Sequence, residues 1–529
     1  MTKVRRRIGL RALVLATSLV IGTSGWAQVL RWASQGDLQT LDPYSQNEVL
    51  TNSINGQVYE ALVGRDRQLK LVPALATQWQ QLGPRLWRMQ LRPNVRFHEG
   101  QPFTADDVVF SVARARHPTS GIRAYASALG EVRKVDALTV EFALPQVNPI
   151  FLQHAALVQM MCKSWCEAHD AAVPQDFKAG ETRHTTHNAN GTGPFVLVSR
   201  QPDTRTVFRR NLDWWGRFEG NVREVIYTPI KSDATRTAAL LSGQVDLVLD
   251  PAPQDVDRLR AARDVKVVDG FENRVLFIGM DQARDELIYS SVKGRNPFKD
   301  VRVRQALYHA VDIETLRSAV MRGQSRPTGV VMPSPLAVFN DPAFEKRLPF
   351  DRARALSLMA DAGYPNGFDI TLDCPNNRYI NDERICIALA GMWAQIGVRV
   401  NINAQPRSTF FVKLEKLDVS MYLFGWGGSV SDAESTLTQV LRMRGANGIG
   451  HFNFGDYRNP KLDELAAASS IEPDPVRRES LIKAAMREHG EQVHHIPLHR
   501  QVIPWAMRAN VEAVHRPDNW LEWQWITMR

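Results

Sequence analysis

The segment from Phe368 to Phe424 confines this chain to a mixed α/β architecture. Phe368, Ile370, Leu372 and Cys374 alternate with polar neighbours as in a half-buried strand, Asp382 to Gln395 reads as a helix, and Val398, Val400 and Ile402 alternate again. Two strands joined through one helix over so short a stretch make a βαβ unit with parallel strands. A further apolar strand, Val419 to Phe424, stops at Gly425-Trp426-Gly427-Gly428. In open α/β sheets, solutes bind beyond the carboxyl ends of strands, where helix starts and loop amides are available. The loops Pro375 to Asn381 and Gly425 to Asp432 are therefore the expected pocket walls.

The first 27 residues read as a targeting segment. Lys3, Arg5, Arg6, Arg7 and Arg11 form a basic start, Ala12 to Ile21 is mostly apolar, and Gly25-Trp26-Ala27 offers small residues for cleavage. A membrane helix needs about 20 apolar residues, more than this run supplies. No cysteine lies at the cleavage region, which argues against a lipoprotein, and the general secretory route is preferred over the twin-arginine one. The expected product is a soluble periplasmic protein beginning near Gln28. The segment carries five basic and no acidic side chains, so the net charge of +9 falls to 9 − 5 = +4 on its removal. Lysines and arginines are scattered among acids, which points away from nucleic acid. A mature chain of this length exceeds what one core usually serves, so two or three substructures are expected.

Four cysteines in an exported chain are expected to pair. Of the three connectivities, the two local ones, Cys162 with Cys166 and Cys374 with Cys386, are preferred; the second would tether the loop between its cysteines. Neither spacing is a good zinc signature.

The stretch from Val58 to Arg114 contains a strand-like run at Leu86, Met89 and Leu91, a turn at Pro93 and Asn94, and a capping-box-like start at Thr104 and Asp107. Val108, Val109, Val112 and Ala113 then repeat at helical spacing. Phrase by phrase, the stretch resembles the extracytoplasmic solute-binding proteins of family 5, which serve peptide, opine and nickel ABC transporters. Other matching phrases are LDPYSQNE, GTGPFVL, NLDWWG, GQVDLV, FKDVRVRQALYHAVD, FGWGGSVSDAES and NPKLDELAAAS, so the resemblance covers nearly the whole mature chain. It implies an α/β, two-lobed periplasmic-binding-protein fold, type II and cluster C, with an extra inserted domain and a hinge between lobes. The implied division is a signal peptide at 1–27, a first lobe at 28–55, 189–272 and 499–529, an extra domain at 56–188, and a second lobe at 273–498.

The resemblance also implies the site. Gly425 and Gly427 would offer backbone groups to a peptide-like solute, and Trp426 an apolar wall. Peptide-binding relatives carry an aspartate for the solute's α-ammonium three residues after this tryptophan, where this chain has Ser429; Asp432 and Glu434 are the nearest replacement acids, although Asp432 also suits a helix cap. Tyr125 matches a tyrosine placed opposite the Gly-Trp loop, and Arg407 a pocket-lining position. Asn376, Asn377, Arg378 and Tyr379 sit in the tethered loop, where Arg378 could clamp a carboxylate or phosphate.

Enzymatic readings find little support. No GxSxG, HExxH or P-loop is visible, and His489, His494, His495 and His499 read better as a helix running into a strand than as a metal site. No cofactor and no metal are expected. The expected partners are a peptide or peptide-like solute and the subunits of an ABC permease, with the protein a monomer. A non-peptide solute, opine-like or a metal complex, is the alternative, and a periplasmic hydrolase a more distant one.

Overall fold

The computed structural model describes residues 28–177, 179–333, 341–427, 430 and 432–529; the targeting segment 1–27 and Ser429 lie outside the described residues. The expected βαβ unit forms. Strand Phe368–Pro375 runs parallel to Val398–Gln405, in register from Phe368 opposite Val398 to Pro375 opposite Gln405, with helix Asp382–Ala394 between them. Phe368, Ile370 and Leu372 are buried because alternate residues of this strand face the helix side. Asp382 starts the helix by accepting from the amides of Arg378, Tyr379 and Glu383 at 2.9, 3.0 and 3.0 Å. The Cys374–Cys386 disulfide spans 12 residues and ties the strand end to the first turns of that helix. Closing a loop of this size removes unfolded-state entropy worth about 3 kcal/mol.

The other expected bridge is absent: Cys162 and Cys166 are free, buried thiols. Cys162 caps helix Lys163–Ala168, and the Cys166 amide bonds the Cys162 carbonyl at 3.0 Å. Helical neighbours four apart hold their Cβ atoms about 5–6 Å from each other, whereas a disulfide needs about 3.5–4.5 Å. Burial pushes the Cys166 thiol up to about 12, so it stays protonated and inert.

The large sheet is ordered Val398–Gln405, Phe368–Pro375, Met421–Gly427, Val265–Met280, His495–Arg508, Leu247–Leu249, Val29–Ser34, Glu224–Pro229, Arg205–Arg210, Phe195–Gln201, with Ser325–Pro327 added beside His495–Arg508. Its first members build one lobe and its last members the other. In the 368–427 lobe the sheet is covered on both faces. Leu276 and Ile278 pack into one core with Leu372 and Trp393, while Val275 and Phe277 pack into another with Tyr422 and Phe424. Double coverage explains why these strands are apolar without interruption.

The stretch with the capping box forms a separate four-stranded antiparallel sheet, ordered Ala76–Gly83, Leu86–Leu91, Thr139–Ala143, Glu131–Asp136, and helix Ala105–Ala115. Asp107 accepts from the Thr104 amide at 2.9 Å, as the motif requires. Val108 and Val112 are fully buried, in a core shared with Tyr59 of the same segment and with Trp32 and Trp505 of the neighbouring lobe. Arg114 of the helix reaches Asp42 through 2.9 and 2.5 Å bonds, with neither side chain exposed. Thr185 and the Tyr44 amide also donate to Asp42, so this buried pair is satisfied from several sides.

Strands Val265–Met280 and His495–Arg508 traverse both lobes as an antiparallel pair. Pairing runs from Val265 opposite Arg508 to Phe271 opposite Val502, breaks, and resumes at Val275 opposite Arg500. Glu272, Asn273 and Arg274 therefore face the single residue Gln501, a bulge that twists the pair where it passes from one lobe to the other. The Asn273 amide donates to the Pro517 carbonyl at 2.6 Å, so the C-terminal tail braces it.

The histidine-rich segment is packed interior. His489 and His495 share a 2.8 Å ring-to-ring bond, His494 bonds Gln282 and stacks on Tyr457, and all four histidines are buried. Burial holds His489 and His499 down at about 3 and His494 at about 2, and pushes His495 far down as well. Below the ordinary value of 6.5 the unfolded chain takes up protons that the native chain refuses, so stability falls as pH falls through the window from 6.5 toward 3. Urea titrations between pH 6.5 and 5, above the range where most carboxylates titrate, are expected to show unfolding free energy dropping by at least about 1.4 kcal/mol per pH unit. A flat profile would remove the neutral histidine cluster from the account.

Candidate functional site

Both lobes and the crossing strands enclose a cleft of about 610 Å³. Ser34, Glu48 and Asp250 line it from one lobe, Glu272 and Arg274 from the bulge, and Arg378 from the other lobe. The sequence-expected residues Asn376, Asn377, Tyr379 and Arg407 also line it. The tethered loop is fixed in place by Asp382 and the disulfide, and by Asn377, whose Oδ1 accepts from the Arg407 amide at 2.8 Å. That bond links the loop to the start of helix Arg407–Glu415.

Tyr379 is the hub of this wall. Its hydroxyl donates to the Gly425 carbonyl at 3.3 Å, and a Cβ on Gly425 would lie 2.6 Å from the Tyr379 ring, so only glycine admits this packing. Arg274 also donates to the Gly425 carbonyl, at 3.4 Å, and pairs with Glu272 at 3.0 Å. Gln501 donates to the same Glu272 oxygen at 3.0 Å, completing the bulge network. The guanidinium groups of Arg274 and Arg378 lie 5.9 and 5.3 Å from the Tyr379 ring centroid. Arg274 has its carboxylate; Arg378 has no ion-pair partner among the described residues. Burial, then the like charge of Arg274, lowers the Arg378 pKa from 12.5, which marks an arginine in want of an anion.

Gly425, Trp426 and Gly427 are the last residues of strand Met421–Gly427, paired with Leu276, Val275 and Arg274. None of the three lines the cleft described above; Tyr379 covers Gly425. Trp426 is buried on the other face of the sheet, its indole N–H 3.1 Å from Thr436 Oγ1 and its ring 4.9 Å from Phe452. Asp432 is buried and bound bidentately by Arg478 at 2.8 and 2.5 Å, and its Oδ1 accepts from the Glu434 amide at 2.8 Å, although the N-cap of helix Glu434–Thr436 is Ala433 and not Asp432. Its charge is thus neutralised within the protein. Glu434 approaches His154 at 4.0 Å, and Tyr125 stacks on His154 with centroids 6.0 Å apart. Of the expected residues, 376–379 and 407 line the cleft, 425–427 lie beneath or behind that wall, 432 is held by Arg478, and 125 and 434 meet at His154.

Asp250, Glu272 and Arg274 were absent from the sequence expectations. The polar triplet Glu272-Asn273-Arg274 inside the apolar run Val265 to Met280 was the available signal for the last two. Among the described residues no group of three or more His, Cys, Asp or Glu could hold a metal ion, and no helix is long and apolar enough to cross a membrane.

Comparison with known proteins places this geometry in context. The family described as bacterial extracellular solute-binding proteins, family 5 Middle, matches residues 70–448. The chain is 27% identical to di/tripeptide-binding protein 3 of Pseudomonas aeruginosa over 538 aligned positions, covering 96% of each chain. It is 27% identical to heme-binding protein A of Haemophilus influenzae, covering 85% of this chain and 83% of that one. The structure superposes on the Helicobacter pylori periplasmic binding protein DppA, solved with the peptide STSA, with a TM-score of 0.79 at 20% identity, covering 93% and 97% of the two chains. The fold is thus that of the two-lobed periplasmic binding proteins.

Removing Asp432 leaves Arg478 charged and buried with only the Ser469 carbonyl, 3.1 Å from its Nε, and no carboxylate to neutralise it. The Asp432→Ala variant is expected to lose about 3–5 kcal/mol of unfolding free energy in urea titration. A loss below about 1 kcal/mol would mean that Asp432 is not committed to Arg478.

Proposed function

Because the chain belongs to the bacterial extracellular solute-binding proteins of family 5, we propose that it is the periplasmic solute-binding component of an ABC importer. It captures a peptide or peptide-like solute between its lobes and delivers it to a membrane permease. The observation that carries this reading is the interlobe cleft with the unpaired Arg378 guanidinium held over Tyr379. A planar guanidinium with open donors accepts a carboxylate bidentately. Asn377, Tyr379 and Arg407 complete the wall around it.

In this reading residues 1–27 direct export and are removed near Ala27, the mature protein is a soluble monomer, and it carries no catalytic activity. Residues 28–55, 189–272 and 499–529 form the first lobe, 56–188 the extra domain and 273–498 the second lobe. The bulge at 272–274 is the hinge. A solute touching both walls stabilises the closed arrangement by its differential affinity, and closure is what the permease reads. Ser429 and Tyr125 contact the solute when the lobes close around it, whereas Gly425, Trp426 and Gly427 support the Tyr379 wall from behind.

A non-peptide solute is the second reading, favoured by one observation. Ser429 stands where peptide binders carry an aspartate, and Asp432 is consumed by Arg478. Native mass spectrometry of protein taken from the periplasm, with fragmentation of what it releases, separates the two. Peptides are expected, and Arg378→Gln is expected to weaken binding of the recovered solute by about tenfold to a hundredfold, the loss of about 1.5–3 kcal/mol for a charge-assisted bond. A solute without carboxylate or phosphate, or unchanged affinity in the variant, would contradict the assignment of Arg378.

A further inference from the structure

Asp250 has no role in the account so far, and its surroundings are unusual. It follows strand Leu247–Leu249 and lines the cleft from the first lobe. Its backbone is left-handed, with φ 55°, a conformation that an L residue adopts at some cost. Arg236, itself buried, pins the turn by donating to the Asp250 carbonyl at 3.1 Å, and spends its charge on Asp233 at 2.7 Å. The Asp250 carboxylate has no ion-pair partner among the described residues. Ser34 Oγ lies 3.5 Å from Oδ2, Asn519 also hydrogen-bonds the side chain, and Oδ1 is buried with no partner among the described residues.

A carboxylate in such a place normally pairs or is satisfied by several donors. Here the other charged groups nearest to it do the opposite. Glu272 and Glu48 are acidic, and Glu272 is already balanced by Arg274 and Gln501. Burial, then Glu272, raise the Asp250 pKa to about 6 against the opposing pull of Arg236 and Asn519, as a carboxylate without a full counter-charge would show. Arg378, across the cleft, is the mirror case, a guanidinium without an anion.

We propose that Asp250 is the residue that recognises a cationic group of the solute, an ammonium in a peptide, so that the cleft reads a zwitterion with Asp250 on one lobe and Arg378 on the other. This deepens the peptide reading above and rests on it. It also answers the loss of the aspartate at Ser429: the acid has moved to the opposite lobe, and a solute bridging the two charges holds the lobes together. Because each lobe supplies one charge, a solute lacking either end loses both a contact and part of its leverage on closure.

The test uses the mature full chain and a synthetic mixture of unblocked di-, tri- and tetrapeptides, alongside the same mixture after N-acetylation, with bound masses read by native mass spectrometry and affinities by calorimetry. Wild type is expected to retain unblocked members and to bind their acetylated forms at least tenfold more weakly. Asp250→Asn suits the left-handed backbone and keeps the side-chain shape; it is expected to lose at least tenfold toward unblocked peptides and to discriminate no longer against acetylated ones. Asp250→Glu, which restores the charge, is expected to recover part of the preference. Wild-type affinity and selectivity in Asp250→Asn would overturn the assignment while leaving the peptide reading in place. Failure of wild type to bind either mixture would overturn the peptide reading, and this inference with it.

Discussion

Strands Val265–Met280 and His495–Arg508 pair across the width of the molecule, and the rest of the large sheet attaches to one end or the other of that pair, except Ser325–Pro327, which pairs midway with residues 499–501. Strand Met421–Gly427 joins at residues 274–280, and Leu247–Leu249 joins at 505–507. The lobes are therefore continuous in hydrogen bonding yet separately cored, and the ladder between the two strands breaks at 272–274 and shifts again between Leu276 and Phe277. A bulge is where a sheet bends most readily, since its residues lack ladder partners. Here Glu272 and Arg274 line the cleft, so the proposed hinge and the proposed binding wall coincide.

That coincidence gives a physical route from occupancy to shape. Glu272 is shared by Arg274 and Gln501, and Arg274 also touches the Gly425 carbonyl beneath Tyr379. A solute that engages Tyr379 or Arg378 acts on groups wired to the hinge. The tethered loop transmits this because it has little freedom, being fixed at Asp382, at Asn377 and through Cys374–Cys386. Rigid walls on a flexible joint favour two discrete arrangements over gradual deformation.

Much of this frame was legible in the sequence, for local reasons. Alternation in 368–374 and 398–402 encodes the βαβ unit, Thr104 and Asp107 encode a helix start, and an apolar strand before the Gly-Trp motif was visible, although it starts at Met421 and runs on through Gly425-Trp426-Gly427 instead of stopping before them. The bridge between Cys374 and Cys386 joins elements whose order the pattern already fixed. The same logic failed for Cys162 and Cys166, because a spacing of four within a helix start holds two thiols side by side without bringing them to bonding distance. Pairings over long sequence distance left no local trace. Arg478 binds Asp432 across 46 positions and Arg114 binds Asp42 across 72, and nothing near either acid announces its partner. Asp250 was hidden for a related reason: its significance lies in what it lacks, and that is a property of the folded cleft.

In the proposed mechanism the lobes close about the 272–274 bulge when a solute spans the cleft. Spin labels at Gln254 and Arg384, exposed positions on the two walls, report this directly through their distance distribution in double electron–electron resonance. Addition of the unblocked peptide mixture is expected to collapse a broad distribution to a shorter, narrower one, with the long component returning when the peptides are dialysed away. A distribution that stays unchanged at peptide concentrations where calorimetry shows saturation would contradict closure as the signal the protein gives.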